Sequence, residues 1–245
     1  MTGPCPFCGQ AAPAAGEPLL VLAAHGERGG AGDNARLRAI CRQAAARIGG
    51  EAAVRCGVLS GEPSLESAVA GAEACPVRVY PVFMSEGFFV REKLPSRLAS
   101  SGVTARILPA LGVDPAFAQA CAARLRGLEG GAPDEILVAA HGSTKDDRSR
   151  RATEDFAGLL ADDLRVPVRC AFLEEEPLVE PAVRVLGERA AIVSLFASQG
   201  LHGADDMDAI IAKAGFPPER VLTPAADTGL VAQLAVESFR QAGGP

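Results

Sequence analysis

Leu-Ala-Ala-His-Gly at 22–26 returns as Val-Ala-Ala-His-Gly at 138–142, and this repetition decides how the chain is organised. The match continues downstream. Val54-Arg55-Cys56 through Glu62-Pro63 to Ala68-Val69 corresponds to Val168-Arg169-Cys170 through Glu176-Pro177 to Ala182-Val183. Val-Phe-Met-Ser-Glu-Gly-Phe-Phe at 82–89 then corresponds to Leu-Phe-Ala-Ser-Gln-Gly-Leu-His at 195–202. Pairing 22 with 138, 54 with 168 and 83 with 196 gives offsets of 116, 114 and 113 residues. A period this long marks a duplicated domain rather than a solenoid unit, and a chain of 245 residues accommodates two such domains. The copies differ where it matters for chemistry: Phe89 stands against His202, and Glu86 against Gln199.

Working outward from the repeat, 19–24 is a short apolar run, followed by a Gly-rich loop and then Leu37, Ile40, Cys41 and Ala44 at helical spacing. The same reading gives strands at 54–59, 77–83 and 106–111, with helices starting near 63 and 91. In the second copy it gives strands near 136–140, 168–173, 191–196 and 220–223, with helices at 153–164 and 205–214. Strands alternating with helices, the strands apolar and rich in β-branched residues, imply an α/β fold with parallel sheets covered on both faces. The expected boundaries are an appended tail at 1–18, a first domain at 19–127, a Gly-rich linker ending in Pro133, and a second domain at 134–245.

Composition excludes several classes. Hydrophobic residues make up 48% and charged residues 22%, and no apolar run reaches the ~18–20 residues a bilayer span needs, so no membrane association is expected. The first 18 residues lack a basic flank followed by an apolar stretch; a secretory signal is not read there, and the expected location is cytoplasmic. A net charge of −6, one Tyr and no Trp argue against a nucleic-acid partner. Seven scattered cysteines fit thiols rather than a disulfide framework. Cys5-Pro-Phe-Cys8 has the C-x-x-C spacing that can pinch one metal, so a metal at Cys5/Cys8 is conceivable from spacing alone; no second such pair follows to complete a zinc ribbon.

The chain has three histidines, His25, His141 and His202, and two of them fall just past strands of the same domain. Ligands of open parallel sheets sit beyond the carboxyl ends of the strands. Neutral imidazole binds divalent first-row metals and takes up a proton near neutral pH. Two imidazoles without a third strong ligand hold a metal loosely, which suits a metal in transit better than a closed structural site. His25 copies His141 but faces Phe89 instead of a second histidine.

Val-Ala-Ala-His-Gly-Ser at 138–143 is followed by Asp147 and Arg148, then by Phe-Leu-x-x-x-Pro at 172–177, then by Ser-Leu-Phe-x-x-x-Gly-x-His at 194–202 with Asp205-Asp206-Met207. In these residues the chain resembles the class II tetrapyrrole chelatases in their two-domain form, the sirohydrochlorin cobaltochelatases and ferrochelatases of cobalamin and sirohaem biosynthesis. The resemblance implies two duplicated flavodoxin-like, doubly wound domains facing a central cleft, with no permanently bound cofactor. Cobalt or iron would be a substrate, inserted into sirohydrochlorin or a related tetrapyrrole. The family's metal-handling histidines would map to His141 and His202, and its first-half glutamate to Glu86. Those three are the expected catalytic residues, with His141 and His202 as the metal ligands. Tetrapyrrole carboxylates would meet Lys145, Arg148, Arg150 and Arg151 at a helix start, where the dipole also favours anions, and Arg91 and Lys93 in the first half. The run Glu174-Glu175-Glu176 could assist, although such runs are usually solvated loop ends.

Three questions stay open at the level of sequence. Imidazole and carboxylate accept both cobalt and iron. The duplication permits either a monomer that is an internal pseudo-dimer or a homo-oligomer. A different class, a non-catalytic tetrapyrrole- or metal-binding delivery protein on the same scaffold, carries the same motifs. A histidine phosphatase is a poorer match, because its motif has an arginine before the histidine where this chain has Ala24 and Ala140.

Overall fold

A computed structural model describes residues 13–26, 34–144, 147–196 and 202–243, with the backbone only for 202–205. The Cys5/Cys8 pair, Lys145 and the side chain of His202 lie outside the described residues.

The first sheet is built from β1 (Leu19–Ala24), β2 (Ala53–Val58), β3 (Val77–Pro81) and β4 (Ala105–Ile107), in the order β2-β1-β3-β4. All of its pairings are parallel. Helices α1 (Ala35–Ile48), α2 (Leu65–Val69) and α3 (Leu94–Ser100) connect the strands, and α3 is preceded by one π-helical turn at Phe89–Lys93. The second sheet repeats this with β5 (Ile136–Ala140), β6 (Val168–Phe172), β7 (Ala191–Ser194) and β8 (Val221–Leu222) in the order β6-β5-β7-β8, again parallel throughout. Its connections are α5 (Arg148–Leu164), α6 (Val179–Arg184) and α7 (His202–Ala214); α4 (Pro115–Arg126) precedes β5 and α8 (Thr228–Gln241) closes the chain. The expected α/β class with duplicated, doubly wound sheets is the observed one, each sheet having the flavodoxin-like order over four strands.

The duplication holds residue by residue. Leu20 pairs with Val54 and with Arg78; their counterparts Ile136, Val168 and Ala191 pair in the same way. The isolated bridge of Val58 with Ser64 is likewise repeated by Phe172 with Leu178. The central strands are apolar along their whole length because both faces are covered. In β1, Leu19 to Ala23 are fully buried, as are Ile136, Val138 and Ala139 of β5.

The units in space are not the copies in sequence. The structure groups the described residues up to Leu111 and from Thr228 onward as one unit, and Gly112–Asp227 as the other. Thus α4, expected in the first domain 19–127, belongs to the second unit, and α8, expected in the second domain 134–245, belongs to the first. The packing gives the reason. Phe117 of α4 lies 5.5 Å from Phe156 of α5, and Arg126 bonds Asp163 at the end of the same helix. The α8 helix packs on α1: Gln43 donates to Thr228 Oγ1 at 2.7 Å, Arg240 pairs with Glu51, and Phe239 lies under the Arg78 guanidinium. Among the described residues no helix is long and apolar enough to cross a membrane.

Candidate metal-handling site at the strand ends

In both units the chain leaves the central strand through His-Gly, and the same backbone bonds hold it there. In the first unit Leu59 N–H donates to Ala24 O at 2.9 Å and Ser60 N–H to His25 O at 2.8 Å. In the second, Leu173 N–H donates to Ala140 O at 3.2 Å and Glu174 N–H to His141 O at 3.1 Å. On the other side of the strand, Val82 N–H to Ala23 O and Leu195 N–H to Ala139 O form a further equivalent pair. Each glycine is required by this close approach. Gly26 has φ +103°, and a Cβ there would fall 2.0 Å from Ser60 O; Gly142 has φ +76°, and a Cβ would meet Phe172 Cβ and the Glu175 side chain at 2.9 Å.

The side chains around the two histidines differ. His25 turns its ring edge-on to Phe89, with centroids 4.6 Å apart, and its Nδ1 lies 3.3 Å from Gly26 O. His141 is exposed, with Nδ1 3.7 Å from Glu174 Oε2 and its ring 6.4 Å from Phe196. His202 is the first residue of α7, just as Phe89 opens the helical turn after β3, so the two occupy equivalent places in the topology. The sequence had suggested that the helix starts at 205, with His202 in the loop before it.

The three-glutamate run separates into three roles. Glu176 Oε2 accepts from Leu178 N–H at 3.2 Å, as Glu62 Oε2 accepts from Ser64 N–H at 2.9 Å in the first unit, so this carboxylate belongs to the common scaffold. Glu174 and Glu175 replace Ser60 and Gly61 and occur only in the second unit. Glu175 is nearly buried: its Oε1 accepts from Ser143 N–H at 3.0 Å, and its Oε2 accepts from Arg150 Nε at 3.0 Å and Nη2 at 2.7 Å. Arg150 in turn lies over the Phe172 ring at 4.7 Å and donates to Glu176 O. A bidentate Arg–carboxylate pair of this kind fixes orientation as well as supplying energy. The loop 141–143 therefore rests on a rigid carboxylate, while Glu174 remains beside the imidazole. Composition leaves the run as either an assisting group or a solvated loop end; the signal that separates its members is the repeat alignment, which shows the two extra acids only in the copy with two histidines.

Of the other expected site residues, Glu86 pairs with Arg91 at 3.4 Å, and Arg91 is largely exposed. Arg148 opens α5 and is exposed; Arg151 pairs with Asp147 at 2.6 Å. Among the described residues no three His, Cys, Asp or Glu side chains come together as a metal cluster, and His141 with Glu174 forms a pair.

The fold, the duplicated His-Gly exits and the second helix-opening histidine define a two-unit chelatase-like α/β protein. The CbiX family model matches residues 19–128 and again 135–239, and the chain belongs to this family of class II chelatases. It is similar to CbiX of denitrifying bacteria, described as the terminal enzyme for biosynthesis of sirohaem: identity is 35%, the match covers 92% of this chain and 99% of that one, and the TM-score is 0.76. It shares its fold with SirB from Bacillus subtilis, solved with Fe³⁺, at 17% identity, TM-score 0.74 and coverage of 93% and 96%. It likewise shares the fold of the sirohydrochlorin chelatase SirB from Bacillus subtilis subspecies spizizenii in complex with cobalt, at 15% identity, TM-score 0.69 and coverage of 92% and 94%. No curated protein sequence matches the chain.

Proposed function

We propose that this protein inserts a divalent cation, cobalt or iron, into sirohydrochlorin, and that the second unit handles the metal. The observation that carries this reading is the exposed His141–Glu174 pair at the end of β5, in the unit whose helix after β7, α7, opens on a second histidine. The similarity to CbiX of denitrifying bacteria over nearly the whole of both chains supports it.

The chemistry asks for two things. The incoming ion must shed water, which exchangeable imidazole and carboxylate ligands make feasible, and two pyrrole N–H protons must leave the macrocycle, which requires a base. His141 and His202 are assigned as metal ligands and proton acceptors, with Glu174 completing the donor set. Glu86 is assigned as a further carboxylate that attracts the cation or takes a proton. Arg91, Arg148, Arg151 and Lys145 are assigned to the peripheral carboxylates of the substrate, for which guanidinium groups are suited by geometry. The metal is a substrate in this scheme, and the scheme calls for no resident cofactor and no partner protein.

The test is anaerobic metallation of sirohydrochlorin followed by absorbance, with Co²⁺ and with Fe²⁺, for the intact protein and for His141→Ala, His202→Ala and Glu86→Ala. Acceleration by the intact protein that is lost in both histidine variants supports the assignment. Binding of metal and tetrapyrrole without acceleration over the uncatalysed rate would instead identify a delivery protein on this scaffold.

A further inference from the structure

The first unit keeps the His-Gly exit but has surrounded it with rings. His25 packs edge-on against Phe89, Phe89 lies 6.4 Å from Phe83 with its ring nearly parallel to it, and Phe88 lies 5.7 Å from Phe89. Phe88 and Phe89 are 46% and 39% exposed, and they are the two aromatic rings among the exposed large apolar side chains of the described residues. Two adjacent, partly exposed phenylalanines forgo part of the benefit of burial. Their position is the ligand-binding edge of a parallel sheet, past the carboxyl ends of β1 and β3. Immediately after them, Arg91 and Lys93 are exposed on the same helical turn, with exposed Glu92 between them and Arg91 paired to Glu86 at 3.4 Å, so the apolar rings are bordered by charged side chains of both signs.

We propose that Phe89, with Phe83 nearly parallel to it and Phe88 and His25 edge-on, stacks on one face of the metal-free tetrapyrrole while Phe88 borders it, with Arg91 and Lys93 contacting carboxylates at its rim. The inference rests on the tetrapyrrole reading above and deepens it. A planar conjugated macrocycle with acidic substituents matches both features of the patch, an exposed aromatic ring at the strand ends and, beside it, two cations that can exchange Glu86 for a substrate carboxylate or meet one directly. On this reading the position held by His202 in the second unit serves the tetrapyrrole rather than the metal where the first unit has Phe89, so that the two copies divide the substrates between them.

The test separates the two substrates. Metal-free sirohydrochlorin is titrated anaerobically into the intact protein and into Phe89→Ala, Phe89→Trp, Phe88→Ala/Phe89→Ala and, as an exposed apolar control in the other unit, Val185→Ala; Co²⁺ binding to each is measured in parallel by its absorption. The expected result is that Phe89→Ala weakens tetrapyrrole binding about tenfold and the double variant more, while Phe89→Trp retains affinity, Val185→Ala changes nothing, and Co²⁺ affinity is the same in all. Unchanged tetrapyrrole affinity in the double variant overturns the platform alone. Failure of the intact protein to bind the tetrapyrrole overturns the functional reading and the platform with it. Phe89 is more than half buried against His25 and Phe83, so thermal unfolding of each variant is followed and binding is compared at a temperature where all are folded; a loss of Co²⁺ binding in any of them there also counts against the division of substrates.

Discussion

After β1 the first unit presents His25 to the ring of Phe89; after β5 the second presents His141 to the carboxylate of Glu174. The strands that carry these residues pair in the same register, and the backbone bonds that aim the two histidines are the same pairs of groups. The contrast therefore isolates the effect of side chains on a fixed frame. Three exchanges account for it: Ser60 against Glu174, Gly61 against Glu175, and Phe89 against His202. One set leaves an aromatic surface, the other a carboxylate-supported imidazole. A duplicated frame lets one copy specialise without disturbing the scaffold of the other.

The largest effect that would break this comparison is on turnover. His141→Ala is expected to lower the metallation rate by roughly 10²–10⁴, the range for removing a group that takes part in proton transfer, whereas His25→Ala is expected to change it less than tenfold. Single-turnover metallation with excess protein makes the measurement. Equal losses in the two variants would show that both exits handle the metal and that the specialisation is not real.

Next comes the frame itself. In Gly26→Ala the new Cβ meets a backbone oxygen that cannot move aside, so unfolding in urea is expected to report a loss on the order of 2–3 kcal/mol. In Gly142→Ala, at φ +76°, the new Cβ meets Phe172 Cβ and the Glu175 side chain, which must rotate away from Arg150 to make room; the expected loss is likewise on the order of 2–3 kcal/mol. That rotation would, however, release Ser143 N–H from Glu175 Oε1, so Gly142→Ala is expected to cost metal affinity where Gly26→Ala does not. Equal Co²⁺ affinities in the two variants would remove the link between Glu175 and the histidine loop.

A sharper probe of that link is Glu175 directly. Glu175→Ala removes the Oε1 acceptor of Ser143 N–H and leaves Arg150 with Glu154 at 3.7 Å and the Glu176 carbonyl, and a tenfold to hundredfold loss of Co²⁺ affinity is expected, the range for groups that orient a metal ligand. Glu175→Gln retains an acceptor for Ser143 N–H and should recover most of it. Full loss in both variants, measured by equilibrium dialysis, would mean that the charge of Glu175 matters rather than its hold on the loop.

Much of this comparison was legible in the sequence. The strands were readable because β1 and β5 are uninterrupted apolar runs, as burial on both faces demands, and the difference between the copies was readable from Phe89 standing where the second copy has His202. The exchange of α4 and α8 between units was not. Amphipathic spacing tells which face of a helix is buried, as with Phe117, Cys121 and Leu125 on α4, but not which of two similar sheets will receive it. Nor was the sorting of the glutamates legible from composition. Glu174 to Glu176 are chemically identical, and only the backbone direction at each position turns one toward His141, the next toward Arg150 and Ser143, and the third toward Leu178.

The smallest expected effect is a gain, and it probes the comparison from the opposite side. If three exchanges on one frame separate the two exits, then Ser60→Glu/Phe89→His should restore to the first unit the donors that the second has, since His25 is already aimed by Ser60 N–H as His141 is by Glu174 N–H. The second unit's loop also leans on Glu175 and Arg150, which the double variant lacks, because Gly61 stands at the matching position and its φ of +102° disfavours a side chain there. A rebuilt site should therefore bind weakly, about tenfold or more below the original, because its histidine loop has no carboxylate beneath it. Equilibrium dialysis with Co²⁺ should rise from one equivalent to two at high metal concentration, and His25→Ala added to the double variant should return it to one. Stoichiometry that stays at one would mean that equivalent backbone bonds do not bring equivalent side chains together, and that the assignment of His202 to the metal needs support other than its place opposite Phe89.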